Sequence, residues 1–159
     1  MRNREVLSLV EHSWAGARQC SLALGERGIA VTHLIKGRVS REELAMIAPR
    51  SVSPPKAAQS ATADCGPSSR ETERGVAPAP IRVVSATRLW FRPRWWLMAA
   101  GLALRGRLGW CLVDHERTVR ELTPLARWLG ARVVEIRDHD AGYDLFIDGD
   151  AVSLNDAFK

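Results

Sequence analysis

The chain has 159 residues, 46% of them hydrophobic and 26% charged, and a net charge of +5. That is length and apolar content for one buried core. It argues against a membrane span, because the longest apolar run, Trp95 to Leu104, is about half the roughly 20 residues that cross a bilayer. Cys20, Cys65 and Cys111 are far apart and form no CxxC pair, which argues against a zinc finger, and their odd count with no secretory signal predicts a reducing, cytoplasmic setting.

The first thirty-seven residues organise the rest. Val6 to Val10 read as a buried strand, Glu11 to Gly16 as a turn, and Ala17 to Arg27 as a helix with Ala17, Cys20, Ala23 and Leu24 on one face. Gly28 stops that helix, and Ile29 to Ile35 form a second strand. This is a βαβ unit, the seed of a parallel sheet. Ser40 with Glu43 three residues on is a capping box for a short helix carrying Leu44 and Ile47 and ending at Pro49.

Residues 51–80 hold five of the eight prolines and no aromatic residue. Such a segment buries too little apolar area to offset its ordering entropy, so it reads as a disordered insertion within one domain spanning 1–159. Ile81 to Ser85 make a third strand. Leu89 to Arg94 lead into a helix over Trp95 to Leu104. Trp110 to Val113 make a fourth strand, Glu116 to Leu129 a helix with room for a break at Thr123-Pro124, and Ala131 to Ile136 a fifth strand. Tyr143 to Leu154 read as a hairpin turning at Asp148-Gly149. Five alternations of strand and helix predict an α/β fold: an open, parallel, five-stranded Rossmann-like sheet, order 3-2-1-4-5, with a C-terminal β-hairpin.

In such sheets ligands bind where the strand order reverses, here between the ends of strands one and four. Glu11, His12 and Ser13 end strand one, Asp114, His115 and Glu116 end strand four, and Arg137, Asp138, His139 and Asp140 end strand five. Imidazole beside carboxylate can move a proton or hold a divalent ion, so His12, Asp114 and His115 are the candidate catalytic residues. The plain alternative is that polar residues crowd strand ends because loops meet water. No HxH or HxxxH spacing supports a metal site, and His33, inside a strand, reads as structural. Gly16 and Ser13 at the helix start, with Glu116, are candidate ligand-binding residues, although Gly16 is all that is present of a GxGxxG pattern. The sequence names no cofactor, and no GxxxxGKS/T, GxSxG or HExxH motif occurs.

Ile81 to Trp110 carry six arginines and no acid. Arg92, Arg94, Trp95, Trp96, Arg105 and Arg107 read as a surface for an anionic membrane or a partner, with a core helix as the plain alternative. No nucleic-acid-binding motif accompanies them.

The run Val6-Leu7-Ser8-Leu9-Val10, then Ala15-Gly16-Ala17-Arg18, then Leu22 to Val31 resembles the amino-terminal domain of GT-B glycosyltransferases. The resemblance covers about 35 residues. It implies an acceptor-side Rossmann-like half acting in surface-glycan assembly, with a second half or subunit that binds the nucleotide-sugar. It also implies peripheral contact with the inner face of a membrane. The residues leave two alternatives open: a small stand-alone enzyme or metal-binding protein using the strand-end His and Asp residues, and a non-catalytic interaction module.

Overall fold

The computed structural model describes residues 4–12, 14–38, 40–45 and 78–159. The insertion expected over 51–80 lies outside them, apart from its last three residues, as do Ser13, Ile47 and Cys65. The described elements are β1 (Glu5–Val10), α1 (Trp14–Glu26), β2 (Ala30–Lys36), α2 (Arg41–Ala45), β3 (Ile81–Ala86), α3 (Phe91–Leu104), β4 (Leu108–Val113), α4 (Glu116–Trp128), β5 (Arg132–His139), β6 (Gly142–Ile147), β7 (Asp150–Val152) and α5 (Leu154–Ala157).

The seven strands among the described residues form one sheet, in the order β3-β2-β1-β4-β5-β6-β7. The first five are parallel, as the βα alternation predicts, and β1 lies between β2 and β4. The expectation of a purely parallel five-stranded sheet is corrected at the other edge. The hairpin joins the sheet, with β6 antiparallel to β5 and β7 antiparallel to β6. β5 runs on through Arg137, Asp138 and His139 because those residues pair with Gly142 to Asp144. The turn between β6 and β7 has positive φ at both Asp148 (53°) and Gly149 (95°), the mirror-image turn whose twist matches paired strands.

Alternation along the strands sends side chains to two faces. Leu7, Leu9, Leu34, Cys111 and Val113 pack with Phe91, Trp95, Ala99 and Ala126 of α3 and α4. Val6, Val31, Leu112, Val134 and Ile136 pack with Cys20 and Leu24 of α1 and Phe158 after α5. Helices thus cover both faces, and Cys20 and Cys111 are buried as small apolar side chains whose thiols burial pushes up to about 12.

Two helices depart from the pattern expected of them. α3 begins at Phe91, earlier than its apolar run suggests, because Pro93 falls in the first turn, where its missing N–H has no helical partner to lose. α4 runs unbroken through Pro124, and the Thr123 hydroxyl donates back to the Val119 carbonyl (2.7 Å). No helix among the described residues is long and apolar enough to cross a membrane.

Candidate functional site

The carboxyl ends of β1 and β4 meet side by side. Asp114, one residue past β4, accepts hydrogen bonds at Oδ2 from the backbone amides of Glu11 (2.8 Å) and His12 (2.6 Å). A carboxylate accepting two amides is strongly held, so Asp114 anchors the start of the β1–α1 turn and sets where His12 projects. The rings of His12 and His115 lie 5.4 Å apart, tilted by 49°. His115 is also the N-cap of α4: its Nδ1 accepts from the Arg117 amide (3.2 Å). That acceptor role leaves the proton of the neutral ring on Nε2, where it can be donated to a ligand.

Glu11, which the sequence places at the end of strand one without a role of its own, is the residue the structure adds to the site. It continues the Leu7, Leu9 alternation beyond the strand and so turns to the α3/α4 face. Its Oε2 accepts from Lys36 Nζ (3.0 Å), at the end of β2, and its Oε1 from Thr118 Oγ1 (3.1 Å), in the first turn of α4. One carboxylate therefore ties together β1, β2 and α4. Burial alone would raise the Glu11 pKa; the hydrogen bonds from Lys36 and Thr118, with the Lys36 charge, outweigh it and leave the carboxyl below its ordinary value.

Glu11 also reaches a cavity of about 190 Å³ between α3 and α4. Leu9, Leu122 and Leu125 give it apolar walls, and Trp95 and Trp96 line it from α3. Arg92 and Glu121 line it as an ion pair (2.8 Å) bridging the two helices. Trp95 is buried, 1% exposed, which corrects its expected place on an outer surface; Trp96, 44% exposed, lies edge-on to it at 6.0 Å.

The other expected site residues are placed elsewhere. Gly16 is inside α1, and a Cβ there would lie 1.8 Å from Asp138 Oδ1. The Asp138 carboxylate sits against this first turn, and glycine is needed here so that the helix can approach β5. Glu116 pairs with Arg120 (2.6 Å) on the exposed side of α4. His139 bonds within its own hairpin, accepting from the Ala141 amide (3.3 Å) and facing Asp144 Oδ1 at 3.6 Å. Arg107 pairs with Glu5, at the opposite end of β1 from the site. Arg94 donates to the Ser85 carbonyl (3.4 Å), and Arg105 is exposed at the end of α3. Among the described residues no group of three or more His, Cys, Asp or Glu side chains could hold a metal.

His33 behaves as its mid-strand position suggests. It is fully buried beneath α1, 2.6 Å from Ser21 Oγ, with Trp14 edge-on at 5.2 Å. The Ser21 hydroxyl lies 2.7 Å from the Ala17 carbonyl and donates to it, so its oxygen accepts from His33 Nε2. Comparison of the chain with protein-family models, with curated proteins and with solved structures returns no match.

Proposed function

We propose that this chain is an acceptor-side, Rossmann-like module of a glycosyltransferase-like assembly, in which the rim between β1 and β4 holds the reacting hydroxyl. The observation that carries the reading is the imidazole pair, His12 and His115, 5.4 Å apart at the switch point of the strand order. Their roles divide by hydrogen bonding. His115, its Nδ1 engaged, donates from Nε2 to orient the acceptor. His12, exposed and placed by Asp114, takes the hydroxyl proton as the new C–O bond forms. The donor's leaving group departs with the bonding electron pair, held by a second domain or subunit.

Histidine side-chain NMR tests this, with monosaccharides, glycans and polyisoprenyl phosphates as probes. The His12 and His115 ring resonances are expected to move together, with His33 and His139 still. If no probe moves them, or if His139 moves equally, the reading fails.

A second reading concerns location and has its own observation. Trp90, Leu97 and Leu104, 67, 74 and 90% exposed, recur every seven residues, nearly two helical turns, and so form one outward line along α3. Arg88, Arg94 and Arg105 are exposed nearby in sequence. Apolar anchors flanked by arginine suit an anionic lipid surface. The protein is expected to float with phosphatidylglycerol vesicles and not with phosphatidylcholine vesicles, and Leu97→Glu is expected to abolish flotation. A protein that floats with neither loses the membrane assignment.

A further inference from the structure

The carboxyl edge of the sheet carries a second cluster, beside the imidazole rim. β2 and β3 run in register to their last couple, Lys36 and Ala86, and the Gly37 amide then donates to the Ala86 carbonyl (3.0 Å). The two chains therefore leave the sheet still side by side, as strands about 4.8 Å apart. Arg38 and Arg88 each stand two residues beyond that last couple, and both are exposed. Long side chains rising from adjacent backbones can close on one ligand. Arg94 joins them from the first turn of α3, where it donates to the Ser85 carbonyl (3.4 Å) at the end of β3.

Among the described residues none of these three guanidinium groups pairs with a carboxylate. Glu11 is taken by Lys36 and Glu121 by Arg92, and Glu42, exposed on α2, pairs with none of the three. Helix stability does not account for the arginines either. α3 has no acid in its first turn and no side-chain cap, so Arg88, Arg92 and Arg94 crowd the positive end of a helix dipole that repels them. Like charges gathered in this way favour an anion among them.

The donors select the anion. A carboxylate offers two oxygens and a single charge, enough for one guanidinium fork. A phosphate monoester offers three oxygens and a charge of about −1.5 to −2, enough for two or more. We infer that the corner formed by Arg38, Arg88 and Arg94 at the ends of β2 and β3 binds a phosphate monoester group, borne by a soluble ester or by a lipid headgroup. A phosphate bound there lies two strand spacings, about 10 Å, from the imidazole pair. The inference stands on the arginines and holds whether or not the rim carries chemistry.

Arginine Nε–H resonances of the full chain test it, titrated with inorganic phosphate, dimethyl phosphate and sodium chloride at equal ionic strength. The Arg38 and Arg88 signals are expected to move saturably with phosphate, with a Kd on the order of 1 mM, and at least tenfold more weakly with the other two. Arg38→Gln and Arg88→Gln are each expected to weaken phosphate binding about tenfold. Arg132→Gln, exposed at the start of β5 and so at the opposite end of the sheet, is expected to leave it unchanged. Should phosphate move neither signal, should dimethyl phosphate or chloride act as well as phosphate, or should Arg132→Gln weaken binding equally, the inference falls. Flotation with vesicles containing phosphatidic acid, whose headgroup is a monoester, tells the two sources apart. Loss of flotation in the Arg38→Gln/Arg88→Gln double variant supports the corner as a headgroup site. Phosphate binding by a wild type that does not float supports it as a site for a soluble ester, and leaves the corner standing where the membrane assignment fails.

Discussion

The two faces of the sheet are built by the same alternation of strand side chains, yet one closes and the other opens. Beneath α1, polar groups are sealed in: His33 with Ser21, and Cys20 against Tyr143, whose hydroxyl burial and the neighbouring thiol push up to about 12. Beneath α3 and α4 the packing leaves a gap that Glu11 and Arg92 reach. The difference lies in the helices. After Trp14, the first turn of α1 carries Ala15, Gly16 and Ala17, and Gly16 lets it settle against Asp138 and Tyr143. α3 instead carries Trp95, Trp96 and Arg92 into its contact with α4, and side chains of that bulk hold two helices apart. Gly16 thus lets one helix close on the sheet, while bulky side chains leave a gap on the other face.

The largest expected effect sets one leucine on each face against the other. Leu24→Ala, on the fully buried side of α1, is expected to cost about 2–5 kcal/mol in denaturant unfolding. Leu122→Ala, whose side chain already borders empty space, is expected to cost less than half as much. Equal losses would break the contrast.

Acid sharpens it next. Burial pushes the His33 pKa down from 6.5 to about 4, so the folded state keeps the ring neutral where the unfolded chain takes up a proton. Stability from this group is complete above pH 6.5. It falls on acidification by up to about 1.4 kcal/mol per pH unit, until the folded ring protonates near pH 4. His33→Gln is expected to flatten that slope, read as unfolding midpoints between pH 4 and 7. An unchanged slope would show that the sealed face is not where the protons act.

On the open face, Glu11→Gln removes the partner of Lys36 at a half-buried site and is expected to cost about 1–3 kcal/mol. Because the Glu11 carboxyl is held below its ordinary pKa of 4.5, its contribution is present above that pH and lost below it. The wild type is therefore expected to lose its advantage over Glu11→Gln as the pH falls through the Glu11 pKa.

The smallest effect tests why α1 sits close. Gly16→Ala adds a methyl against Asp138 and is expected to destabilise by about 1 kcal/mol, despite alanine's better helix propensity. In an Asp138→Ala background the cost is expected to shrink, the remainder coming from Tyr143 Cβ at 3.0 Å, a coupling that a double-mutant cycle measures. Additive effects would mean that the carboxylate does not set the approach.

Much of this arrangement is legible in the residues. The order of the five parallel strands follows from strand–helix alternation and right-handed crossovers, and it already brings His12 beside His115. The hairpin at Asp148-Gly149 is readable from turn chemistry alone. Its membership of the sheet is not, because Arg137, Asp138 and His139 look like a polar loop and become strand only through backbone pairing with β6. At Gly16 the sequence shows the missing side chain and not the carboxylate packed against it. Trp95 and Trp96 are adjacent in an aromatic run, and nothing local tells which one turns inward.

Periodicity, turn residues and chain connectivity act within short windows, and these determined the elements, their order and the edge at which polar residues gather. Closeness between Glu11, Lys36 and Thr118, or between Leu9, Trp96 and Leu122, depends on side chains from three or more elements filling one volume. Packing at that range has no linear signature, so only the tertiary structure decided which carboxylate is tied down, which indole is buried and where a space remains.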